Sequence, residues 1–184
     1  GEVEIMQLGG PQICDVEKLS NVKYEIACHP YITVSENEKV YLHFGGQDKQ
    51  LLFDNPNKER LLASENMWFE EKVWFITQSD ASGFRLQSVS FDNGQLGDRV
   101  VYDITPSSIA RSGDTLFALS SSPIGLYRWK SGSWQMVSNL LEETSLKSGF
   151  VTNNSNLYLA AEDNDDPASK SYIQIINGQV RGKK

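Results

Sequence analysis

The chain has no apolar run long enough to cross a bilayer, which takes about 18 to 20 residues. It also shows no basic excess. Seventeen Lys and Arg stand against twenty-four Asp and Glu, for a net charge of −7. A chain that grips nucleic acid or an anionic membrane carries a basic face. The one basic cluster is the tail Arg181, Lys183 and Lys184. The expectation is therefore no nucleic-acid partner and no membrane insertion. Histidine is scarce, only His29 and His43, so a zinc centre is not expected. Helical periodicity is nearly absent, with short candidate turns only at "CDVEKLSN" (14–21) and "SNLLEETSLKS" (138–148). Walker-type phosphate loops and G-x-S-x-G elbows are missing, so neither nucleotide hydrolysis nor an elbow-borne serine nucleophile is indicated.

There are two cysteines, Cys14 and Cys28. Their closeness in sequence favours a disulfide closing a short N-terminal loop, with two separate buried thiols as the alternative. No signal peptide is visible, and the chain opens on "GEVEI" rather than Met, which reads as a trimmed or mature start. The absent signal is then uninformative; the cysteine pair is what favours an extracellular, periplasmic or cell-surface setting, without excluding a cytoplasmic one.

What is present is strand. Apolar content of 39% with 22% charged residues is enough for a packed core. Short runs rich in Val, Ile, Leu and aromatics are broken throughout by Gly, Asn, Asp and Ser. They fall into two alternating sets. In the first, "VYLHF", "VWFIT", "LFALS" and "LYLAA" place an aromatic at 41, 74, 117 and 158. Each follows a polar turn and an earlier short strand: "ITV", "MWF", "SIA" and "GFV". In the second set, "LLFDNPN", "VSFDNGQL", "YRWKSGSW" and "QIINGQV" each run into a turn. Asn93-Gly94 and Asn177-Gly178 are type I′ hairpin signals.

The unit is thus four strands in about 40 residues, repeated roughly as 23–57, 58–97, 98–140 and 141–184, after an N-terminal half-unit 1–22. The first set is apolar on both faces rather than alternating, so both faces need cover. Radially stacked four-stranded blades provide it. The expectation is an all-β, β-propeller-like array of about four antiparallel blades, whole or a fragment of a larger one. A β-sandwich is the competing architecture.

"LYRWKSGSWQMVSNLL" (126–141) resembles a unit of tectonin-type propellers: a strand, a Gly turn, a Trp and a small loop. "FGG" (44–46) is similar, more loosely, to the diglycine of kelch-type repeats. WD dipeptides and a complete sialidase-type Asp box are absent. The tectonin resemblance implies a binding role toward sugars or other surface ligands.

Three candidate sites follow. Trp129 and Trp134 flank the hairpin turn, where an indole offers a face to a sugar or packs between sheets. "EDNDDPASK" (162–170) carries Glu162, Asp163, Asp165 and Asp166, hard oxygen ligands suited to Ca²⁺, or simply a solvated acidic loop. It lacks the Gly and distal Glu of an EF-hand. Asn153-Asn154-Ser155 is a glycosylation sequon in a predicted turn. The expected function is a non-enzymatic binding or scaffold module taking a protein or glycan through its loops. Two alternatives stand beside it: part of an assembly completed by another chain, and a glycan hydrolase whose paired carboxylates meet at a central channel.

Overall fold

The computed structural model describes residues 4–7, 13–18, 24–29, 31–34, 39–44, 48–54, 59–122, 124–137, 144–146, 150–153, 156–163 and 170–183. Among these the chain is all-β, with several antiparallel sheets and no helix. It divides into two units, Gly1–Tyr102 and Asp103–Lys184.

The first unit opens with β1 (Glu4–Gln7), followed by a hairpin of β2 (Ile13–Lys18) and β3 (Tyr24–His29). Then come β4 (Tyr31–Val34), β5 (Val40–His43) and β6 (Gln50–Phe53). The first sheet has the order β1-β4-β5-β6, while β2 and β3 pair with each other as a separate two-stranded sheet. The segment "CDVEKLSN", which invites a helical turn, is therefore strand from Cys14 to Lys18. An isolated helix of that length is marginal in water, whereas pairing with β3 satisfies the backbone in register. The second sheet is a meander of β7 (Arg60–Phe69), β8 (Lys72–Ser79), β9 (Gly83–Asp92) and β10 (Gln95–Val101).

The aliphatic and aromatic residues at alternate positions of β5 and β8 join the two sheets. Ile32, Val40, Leu42, Val73, Phe75 and Val89 form one buried cluster. Phe53 stacks on Phe75 at 5.5 Å, and Phe44 on Phe91 at 4.8 Å. Each such side chain contributes about 1.5–3 kcal/mol on burial. The opposite face of β8 is equally dry. Trp74 is fully buried, donates its indole N–H to the Phe69 carbonyl at 3.0 Å, and stacks on Tyr102 at 5.3 Å.

A polar cluster crosses this apolar packing. Gln87 is fully buried and donates to Thr77 Oγ1 at 2.6 Å, while its carbonyl oxygen accepts from Arg99 Nε. Arg99 also pairs with Glu59 at 2.8 Å and lies over the Phe53 ring. The guanidinium is thus placed by two acceptors and an aromatic face, a geometry that suits Arg and not Lys. Gln50 of β6 holds the β9–β10 hairpin through its side-chain amide. It accepts from Leu96 N at 3.0 Å and donates to the Gly94 carbonyl.

The second unit begins with β11 (Thr105–Ser112), β12 (Thr115–Ser122), β13 (Ile124–Lys130) and β14 (Ser133–Met136), which form the third sheet in that order. The fourth contains β15 (Thr144–Leu146), β16 (Val151–Asn153), β17 (Asn156–Asp163), β18 (Lys170–Ile176) and β19 (Gln179–Lys183), with β15 and β16 both pairing β17. Thr144–Leu146 is strand within the second candidate helical segment, whose remaining residues lie outside the described residues. Phe117, Leu119 and Leu126 of the third sheet share a buried cluster with Leu157, Leu159, Ile173 and Ile175 of the fourth.

Among the described residues, four two-residue turns have positive φ at both positions: Glu70-Glu71, Asn93-Gly94, Ser131-Gly132 and Asn177-Gly178. This is the type I′ requirement, and it confirms the two Asn-Gly signals. Glu70 and Glu71, at φ 49° and 55°, carry no such signal. Their turn is held from outside by the Phe91 N–H, which donates to the Glu71 carbonyl at 2.8 Å.

Candidate functional site

The β13–β14 hairpin is the candidate site that lies within the described residues. Its strands are held in register by the pairs Tyr127↔Met136, Arg128↔Gln135 and Trp129↔Trp134. Directly opposed residues point to the same side of the sheet. One face of the hairpin therefore carries Tyr127, Trp129, Trp134 and Met136. The other carries Arg128, Gln135, Lys130 and Ser133.

The two indoles meet edge to face, with centroids 5.6 Å apart and planes at 61°. This is a favoured aromatic arrangement. Trp129 is only 7% exposed, while Trp134 is half-buried and Met136 is 47% exposed. The pair consequently offers one partly open indole backed by a buried one, not two parallel faces. Tyr127 is buried beside them, and the loss of solvent pushes its phenol pKa up.

On the other face, the Nε of Arg128 is buried and makes no hydrogen bond among the described residues. The turn is closed by Ser133 Oγ, which donates to the Lys130 carbonyl at 3.3 Å. Residues 126–137 contain no carboxylate and no imidazole. The chemistry they offer is stacking, apolar contact and hydrogen-bond donation. Tyr127 and Met136 join the tryptophans only through cross-strand register, which places them on the same face. Met136 in particular looks like ordinary strand filler until β14 is seen to be an outer strand.

The other sequence candidates lie on other elements or outside the described residues. Asp163 ends β17, opposite Thr144. Asp165 and Asp166 lie outside the described residues, as do Asn154 and Ser155 of the sequon. Among the described residues no group of three or more His, Cys, Asp or Glu is placed to hold a metal. Cys14 and Cys28 occupy opposed positions of β2 and β3. His29 is the last residue of β3. His43 lies 2.8 Å from Thr33 Oγ1 through Nε2 and stacks flat on Tyr31 at 4.5 Å. These contacts give the ring a packing role in the first sheet.

No protein-family model matches the chain, and no curated protein matches it.

Proposed function

We propose that the chain is a non-enzymatic binding or scaffold module whose four main sheets are β-propeller blades, and that it takes a protein or glycan through its loops and hairpin turns. One observation carries this reading. Val73–Thr77 of β8 and Leu116–Ser120 of β12 are buried at every residue, whereas β10 and β14 are largely exposed. Inner strands covered on both faces, with outer strands in solvent, are what radial stacking of small sheets requires. A one-sided sheet of a sandwich alternates instead. The β13–β14 hairpin supports recognition over catalysis, since it presents Trp134 and Met136 and carries no carboxylate or imidazole.

The test is a glycan array and an affinity pull-down with the whole folded chain, run beside a Trp134→Ala variant. A glycan or protein captured by the parent and lost from the variant, while the variant still unfolds cooperatively, supports the reading. An empty array together with an empty pull-down on a folded sample overturns the binding role. An experimental structure with face-to-face sheets and no radial order overturns the propeller.

A further inference from the structure

We propose that Cys14 and Cys28 form an intrachain disulfide across the β2–β3 hairpin and thereby hold it together. The inference is independent of the ligand-binding reading and rests on backbone register.

β2 and β3 pair in the order Ile13↔His29, Cys14↔Cys28, Asp15↔Ala27 and onward to Lys18↔Tyr24. The two cysteines thus occupy directly opposed positions, which in an antiparallel ladder share a face. Opposed Cα atoms are about 4.5 Å apart in a non-hydrogen-bonded pair and about 5.5 Å apart in a hydrogen-bonded one. A disulfide accepts about 4.4–6.8 Å. Both spacings fall within that Cα range, and the non-hydrogen-bonded kind, whose side chains approach more closely, suits the bridge better. These are the only two cysteines of the chain, so no other intrachain bridge competes.

The hairpin also has need of a tie. Its strands form a two-stranded sheet, whereas the four main sheets have four or five strands. A lone two-stranded hairpin is at best marginally stable in water. The Cys14↔Cys28 pair is second from the open end, far from the connecting residues 19–23. A bridge there encloses nearly the whole hairpin and so removes the most freedom from the unfolded segment.

The chemistry balances with a small-molecule disulfide as oxidant. One cysteine thiolate attacks that disulfide, forms a mixed disulfide and expels one small thiol. The second cysteine thiolate then attacks the protein sulfur and expels the other small thiol. The two protein thiols together give up two electrons and two protons, and one disulfide is reduced to two thiols. Such a bond persists in an oxidising compartment, which fits an extracellular or periplasmic setting.

The test uses the full chain equilibrated with oxidised glutathione, then denatured and treated with iodoacetamide, beside a sample reduced first. Intact mass is expected to show no added alkyl group in the oxidised sample and two in the reduced one. Lys18 and Lys23 lie between the cysteines. Trypsin without reductant should therefore release residues 1–18 joined to residues 24–39. The reduced chain, Cys14→Ser, Cys28→Ser and the double variant should all melt lower than the oxidised chain, and by the same amount. Two alkylatable thiols after oxidation overturn the bond. So do cross-links joining two copies of one peptide, which mark bridges between chains. Equal melting of oxidised and reduced chains overturns its holding role. The alkylation result on the parent chain needs no variant to fold.

Discussion

Two hairpin glycines of the second unit have nearly the same backbone and very different surroundings, so they separate strain from contact. Gly132 and Gly178 are the second residues of type I′ turns, at φ 79° and 75°. A Cβ at Gly132 meets nothing within 4 Å. A Cβ at Gly178 lies 2.7 Å from Thr115 Oγ1 and 3.2 Å from the Ser112 carbonyl oxygen. The β18–β19 turn is docked there, because Gly178 N–H donates to Ser112 Oγ at 3.0 Å.

Positive φ costs an alanine about 1–2 kcal/mol. The stiffer unfolded chain returns about 0.4–1 kcal/mol. Gly132→Ala should therefore destabilise by about 1 kcal/mol or less. Gly178→Ala carries the same balance plus overpacking of about 1–3 kcal/mol, for a total of about 1–4 kcal/mol. That is a large share of a typical stability of about 5–15 kcal/mol. Urea denaturation followed by tryptophan fluorescence reads both. Adding Thr115→Ala should recover part of the Gly178→Ala loss and leave Gly132→Ala unchanged. Equal losses at the two glycines, or no recovery with Thr115→Ala, would refute the docking of this turn on the third sheet.

Three further outcomes are expected. Burial raises the Tyr102 phenol above its ordinary value, and its hydrogen bond with Ser88 only partly opposes this. Below pH about 10 both folded and unfolded chains keep the proton. Above it the unfolded chain ionises first, so stability falls as pH rises toward the folded value. Tyr102→Phe should flatten that alkaline fall in urea midpoints, while losing about 1 kcal/mol at neutral pH with the Ser88 hydrogen bond; an unchanged alkaline slope would count against it. Arg128→Met keeps an apolar stem and removes a buried donor that makes no hydrogen bond among the described residues, so thermal stability should hold or rise by about 0–2 kcal/mol. A clear drop in the melting temperature would show that the guanidinium has work in the fold. Trp74→Ala should cost about 3–5 kcal/mol, since the indole is fully buried, hydrogen-bonded and stacked on Tyr102; a loss below about 1 kcal/mol in chemical denaturation would contradict that packing.

The amino-acid sequence by itself determined the all-β class and most strand positions, because these depend on local pattern. "VWFIT" and "LFALS" announce buried strands through their run of apolar residues, and both lie in strands with no residue of Val73–Thr77 or Leu116–Ser120 exposed. Asn93-Gly94 and Asn177-Gly178 announce their turns because those residues tolerate positive φ. The polar turn at Glu70-Glu71 is legible but its positive φ is not: glutamate has no preference for that region, and the turn is held by strand pairing and a hydrogen bond from Phe91. Only the tertiary structure decided the rest. Cross-strand register placed Tyr127 and Met136 beside the tryptophans and set Cys14 against Cys28, and packing buried Trp129 while leaving Trp134 partly open. Register depends on which residues the turn sets opposite each other, and burial on what packs over them, and neither is stated by the pattern along a single strand.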